Sequence, residues 1–178
     1  MKIAIIGFSG SGKSTLAAKL GELYGLPVFH LDCYHFKPDW IENSDDEMEQ
    51  RLRFDLNGSE SWVIDGNYTR IYPERFTEAD LLVFLNFNRF ICLYRAIKRK
   101  IVYSHKSRPS IAPGCKEKLD LTFIWWILYK GRDRRHKKRL KMLCEQAKKS
   151  IIIDRKGKLS KFIRTIELSK KGNTSNVS

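Results

Sequence analysis

Long apolar runs are absent from this 178-residue chain. The longest, Phe123–Tyr129, has seven residues, against about 20 for a helix that crosses a membrane. Met1-Lys2 leads directly into a short apolar run and then glycines, without the length and flanks of a signal peptide. The expectation is a soluble, cytoplasmic protein with no membrane partner. Cysteine is sparse and scattered. Cys33, Cys92, Cys115 and Cys144 include no C-x-x-C pair, so they build no disulfide framework and read as free thiols in a reducing compartment. His30, His35, His105 and His136 add no zinc-ligand spacing. Internal repeats and low-complexity linkers are also missing. Acid is scarce in one half only: residues 91–178 hold 6 acidic and 25 basic side chains, against 14 and 9 in residues 1–90. The formal net charge of +14 therefore divides into −5 and +19. A basic half of this strength implies an anionic ligand: nucleotide phosphates, nucleic acid or a membrane surface.

What is present is a globular composition, 42% hydrophobic and 30% charged, in a length that suits one domain. A chain this long buries enough surface to fold without a disulfide or metal. Short β-rich runs alternate with helical patterns. Strands are expected at Lys2–Ile6, Pro27–Leu31, Trp62–Ile64, Asp80–Leu85 and Ser150–Ile153. Helices are expected at Ser14–Tyr24, from a capping box at Ser44–Glu47 to about Asn57, briefly at Pro73–Thr77, and then at Phe90–Tyr103, Leu119–Tyr129, about Arg132–Lys148 and Leu159–Leu168. Ser107–Lys118 holds Pro109, Pro113 and Gly114 and reads as a loop, and the polar tail 169–178 reads as disordered. The alternation implies an α/β fold, with a five-stranded parallel sheet covered on both faces.

Gly7-Phe-Ser-Gly-Ser-Gly-Lys-Ser14 matches G-x-x-x-x-G-K-[ST] at every position. A triphosphate needs several donors aimed at one point. Backbone N–H groups supply them only if the loop curls tightly, which glycine permits. The helix that follows turns its positive end to the same phosphates. The candidate nucleotide-binding residues are Gly7, Ser9, Gly10, Ser11, Gly12, Lys13, Ser14 and Thr15. Lys13 reaches the β- and γ-phosphates, and the Ser14 hydroxyl ligates Mg²⁺. The implied cofactors are ATP and Mg²⁺.

Ligands of an open α/β sheet bind at the carboxyl ends of its strands. Asp65 ends the third strand and is placed to complete the metal site with Ser14; a turn aspartate is the alternative. Asp32 ends the second strand and is placed to accept a proton from a substrate hydroxyl, or to cap a turn. His35 lies nearby. Asn67, Tyr68 and Arg70 follow the third strand, where the planar fork of Arg70 suits an acceptor phosphate or carboxylate. Asp32, His35, Asp65, Asn67, Tyr68 and Arg70 are the candidate acceptor-side set.

Beyond the phosphate loop, several stretches are distinctive: His-Leu-Asp32, Phe-Lys-Pro-Asp-Trp40, Trp-Val-Ile-Asp-Gly-Asn-Tyr68, Asn-Phe-Asn-Arg-Phe-Ile-Cys-Leu-Tyr-Arg95 and Pro-Gly-Cys-x-Glu-Lys-Leu-Asp120. Over about residues 1–150 they resemble the P-loop proteins called topology modulation proteins, FlaR-like, a family similar in plan to adenylate and shikimate kinases. The resemblance implies a three-layer α/β/α, nucleotide-kinase-like P-loop NTPase: a single domain over 1–168 with a helical lid at about 104–148. It implies that Arg95, then Arg99, neutralise the transferring phosphoryl, and that Arg132 and Arg135 close over ATP. With Lys13 and Asp32, Arg95 and Arg99 make the catalytic set. The expected function is transfer of the γ-phosphoryl of ATP to a small-molecule acceptor, with a nucleotide or nucleoside among the candidates. Nucleotide kinases follow the acid-glycine step with proline-arginine, whereas here the arginine stands one place later, at Arg70.

Lys130–Lys141 contains eight basic residues and one acid, more than a triphosphate needs. The alternative is a nucleic-acid-binding regulatory protein with a regulatory ATP site, binding non-specifically through Lys130–Lys141. Trp125 and Trp126 stand in a consecutive aromatic segment, not interleaved with those cations, so packing is favoured over base stacking.

Overall fold

A computed structural model describes residues 1–103, 110–115, 117 and 119–174, with backbone alone for 171–174. Five strands form one all-parallel sheet: β1 (Lys2–Gly7), β2 (Val28–His30), β3 (Trp62–Asp65), β4 (Leu81–Leu85) and β5 (Ser150–Ile153), in the order β2-β3-β1-β4-β5. The helices are α1 (Lys13–Tyr24), α2 (Leu31–His35), α3 (Asp45–Leu56), α4 (Arg75–Glu78), α5 (Arg89–Val102), α6 (Leu121–Leu128), α7 (Arg134–Gln146) and α8 (Lys156–Thr174).

The three central strands β1, β3 and β4 are buried on both faces, and the strand alternation decides what lies on each. Ala4 and Ile6 of β1 join Leu31, Met48, Leu52, Phe76, Leu140 and Cys144 from α2, α3, α4 and α7. Ile3 and Ile5 join Leu16, Leu20, Cys92, Ala96, Ile127 and Ile166 from α1, α5, α6 and α8. Strands enclosed this way read as continuous apolar runs, which is why KIAII and DLLVFL were legible. No described helix is long and apolar enough to cross a membrane.

Four differences from the expected elements carry physical reasons. Leu31 opens α2 instead of ending β2, because its fully buried side chain packs against Gly66. Asp39 and Trp40 take left-handed φ of 62° and 66° in a short 3₁₀ turn, which seats the Trp40 ring 5.0 Å from Phe36. α7, expected within the insert at 104–148, packs on the sheet through the buried Leu140 and Cys144. Residues 104–109, 116 and 118 of that insert lie outside the described residues. Finally, α8 runs to Thr174, past the expected end at Leu168. Ser169 bonds to the Thr165 carbonyl and Lys170 reaches the Leu23 carbonyl, which extends the helix into the segment expected to be tail. Residues 175–178 lie outside the described residues.

Candidate active site

β1 delivers the chain to Gly7, and α1 begins at Lys13. The loop between them is fixed from three sides. Asn67, from beyond β3, accepts from the Gly7 amide at 3.0 Å and donates to the Gly7 carbonyl at 2.7 Å. Arg95, from α5, donates to the Ser11 carbonyl at 2.7 Å and lies 4.2 Å over the Phe87 ring. Gly10, at φ +76°, lies so close to α5 that a Cβ there would stand 2.3 Å from the Cys92 carbonyl oxygen. Only glycine allows both that dihedral and that approach. Lys13 folds over the loop, its ammonium 3.1 Å from the Gly7 carbonyl and 3.4 Å from that of Phe8. Ser11 Oγ is buried and has no hydrogen-bond partner. Ser9 is half-buried, and Thr15 is exposed in the first turn of α1.

The parallel register sets Gly7 beside Leu85 and His30 beside Asp65, so the phosphate loop and both carboxylate-bearing strand ends open on one edge. Asp65 is buried at 4% exposure. Its Oδ2 accepts from Ser14 Oγ at 2.9 Å, and its Oδ1 is in hydrogen-bond contact with His30 Nδ1. Ser14 and Asp65 together present hard oxygen ligands of the kind Mg²⁺ takes. Among the described residues no group of three or more His, Cys, Asp or Glu forms a metal cluster.

On the acceptor side, Tyr68 donates to Asp32 Oδ1 at 2.9 Å. Burial, followed by the neighbouring Asp32 charge, pushes the Tyr68 phenol far above its ordinary pKa and keeps it a neutral donor. The His35 ring lies 4.7 Å from the Tyr68 ring, with its buried Nδ1 unpartnered. Arg70 extends away from this group: its side chain is 88% exposed and 3.6 Å from Asp45. A cleft of about 280 Å³ opens among Asp45, Asn67, Tyr68, Arg70 and Arg139.

Solved structures share this plan. Shikimate kinase from Acinetobacter baumannii, in complex with shikimate, aligns with a TM-score of 0.55 at 20% identity, covering 96% of this chain and 94% of that one. Deoxyadenosine kinase from M. mycoides, with bound dATP, aligns at 0.52 and 17% identity, covering 86% and 91%. A gluconokinase from Sinorhizobium meliloti 1021 aligns at 0.50 and 18%, covering 99% and 94%. The fold is that of the P-loop kinases. No protein-family model matches the chain, and no curated protein matches it by sequence.

Within that fold, three expected nucleotide or phosphoryl contacts are arranged differently from the sequence-based picture. Arg132 is 7% exposed. Its donors go to the Ile127 and Phe87 carbonyls and to Cys92 Sγ, and it lies 4.0 Å over Phe8 of the phosphate loop. It braces the loop through Phe8, with protein acceptors occupying the donors expected for ATP. Arg99 bonds to Glu117 at 2.9 Å, a carboxylate 2% exposed. Arg135 is exposed on α7. His30, which the sequence offers with His35 and Trp40 as a pocket neighbour of Asp32 or as packing, contacts Asp65 instead. Arg75, buried behind the Gly66–Tyr72 loop, gave no sequence signal, because its partners are backbone carbonyls.

Proposed function

We propose that this chain is an ATP-dependent phosphotransferase that uses Mg²⁺ and transfers the γ-phosphoryl to a small-molecule acceptor, a nucleotide or nucleoside among the candidates. The observation that carries this is the convergence of Lys13, Ser14 and Asp65 at the end of the sheet, with Ser14 and Asp65 2.9 Å apart. The unpartnered Ser11 Oγ inside the loop fits an additional acceptor there. The P-loop kinase fold supports the class, and structures whose names specify deoxyadenosine kinase, gluconokinase and shikimate kinase share it.

ATP with Mg²⁺, when bound, supplies an electrophilic γ-phosphoryl whose charge the metal partly neutralises. The chain does the rest. Loop amides and Lys13 bind the phosphates. Ser14 and Asp65 are the metal-side ligands, and His30 orients Asp65. Asp32, held by Tyr68, takes the proton of the acceptor hydroxyl. Arg95 is placed to offset charge beside the loop, and Arg99 joins it once Glu117 releases it. Arg70 suits an acceptor that carries phosphate or carboxylate.

Calorimetric titration tests the donor half. ATP should bind more tightly with Mg²⁺ than without it. Lys13→Ala should weaken binding about 100-fold or more, roughly 2.7 kcal/mol. Asp65→Asn should erase the Mg²⁺ dependence while leaving metal-free binding nearly intact. ATP affinity unchanged by Lys13→Ala would refute the site.

A second reading draws on α7. Arg134, Arg135, Lys137, Lys138, Arg139 and Lys141 are all exposed, which supports non-specific polyanion binding beside the ATP site. The resemblance to topology modulation proteins points the same way, without adding chemistry.

A further inference from the structure

α5 has two unlike faces. One carries Cys92 and Ala96 into the core and turns Arg95 and Arg99 to the Ser11 carbonyl and Glu117. The other carries Phe90, Tyr94, Ile97 and Ile101, which are 68%, 66%, 40% and 71% exposed. Steps of four, three and four residues are the spacing of an apolar seam along which two helices pack. α6 extends this surface. Its Leu121 and Trp125 are 84% and 59% exposed, and Arg89 lies 5.5 Å over the Tyr129 ring, tying the start of α5 to the end of α6. With a whole aromatic side chain offering about 150–250 Å², these six residues leave roughly 800 Å² of apolar surface in water. The largest apolar patch on a typical monomer is about 300–600 Å². One side of a standard protein interface buries about 800 Å².

We propose that two copies of this chain associate through this surface, with their α5 helices antiparallel across a two-fold axis. The seam reads the same from both ends. An axis between positions 95 and 96 sets Phe90 against the partner subunit's Ile101 and Tyr94 against the partner subunit's Ile97. Each aromatic ring meets a branched aliphatic side chain. Charge permits the pairing despite the net +14. Among the described residues of α5, the exposed cation flanking the seam is Lys98, which falls beside the partner subunit's Ile91, so it does not oppose its own copy. The isoleucines favour a helix over nucleic acid, which would select cations and stacking rings. Pairing would also hold α5 rigid from the side opposite Arg95.

Light scattering or sedimentation of the full chain tests this. The wild-type mass should be twice 20.9 kDa. Ile101→Glu should give the monomer. Adding Phe90→Lys to Ile101→Glu should restore the dimer. The two substituted positions stand about 16 Å apart along one helix, at 1.5 Å per residue, so their charges meet only across the axis. Both positions are exposed, and thermal melts would report a variant that lost its fold, in which case Tyr94→Lys paired with Ile97→Glu replaces it. A wild-type monomer, a dimer indifferent to Ile101→Glu, or a folded double variant that stays monomeric would each overturn the proposal.

Discussion

Arg75 is 1% exposed; its guanidinium is shared among the carbonyls of Gly66, Tyr68, Ile71 and Tyr72 and stacks 4.0 Å over Phe76. Burial pulls its pKa down to about 9, so the charged form is held at a cost. That cost is tolerated because the loop carrying Asn67 and Tyr68 needs its inward carbonyls satisfied. Arg75→Met should therefore destabilise by about 3 kcal/mol, a fall in melting temperature of roughly 6–12 °C for a chain of this size. A melt within about 2 °C of wild type would contradict this, at the usual 2–4 °C per kcal/mol. Lys13, Ser14 and Asp65 were legible because their chemistry depends on local spacing and on strand ends. Arg75, Glu117 and the buried role of Arg132 were not. A single arginine reads alike whether it meets phosphate, carbonyl or carboxylate, and only the tertiary structure supplies its partner.

At the scale of elements, the phosphate loop depends on how closely it can approach α5. Gly10 and Gly25 test this against each other. Both have positive φ, +76° and +65°, but a Cβ at Gly25 meets nothing within 4 Å, whereas at Gly10 it strikes backbone. Gly25→Ala should cost only the left-handed strain, about 1 kcal/mol, and leave ATP affinity unchanged. Gly10→Ala should displace the loop and weaken ATP binding at least about tenfold, roughly 1.4 kcal/mol. Equal effects on affinity, measured by titration, would remove α5 from the account of the loop. The five strands and the capping box at Ser44 were readable from apolar runs and cap chemistry. The short α2 was not, since five residues carry too little periodicity to detect. Nor was the placement of α7, whose eight-cation neighbourhood obscured the Leu140 and Cys144 pair that docks it.

Over the whole molecule, the surplus charge borders the acceptor side of the sheet, where Arg139 of α7 lines the cleft with Asn67, Tyr68 and Arg70. The phosphate loop, Asp32 and Asp65 open at the strand ends, while the α7 cations face water. If those cations bind polyanions, duplex DNA affinity should fall steeply with salt. Neutralising Lys137, Lys138 and Lys141 together should then flatten the log–log slope by about 2.7, near 0.9 per phosphate contact. No binding at physiological salt would remove this second role and leave the phosphotransferase as the whole function. The most direct measurement of that function is ADP release from Mg²⁺-ATP across a panel of nucleosides, nucleotides and small hydroxy acids, with Lys13→Ala as the control. The account predicts release that requires one acceptor class and disappears in Lys13→Ala. ADP release indifferent to every acceptor, or unchanged by Lys13→Ala, would contradict it.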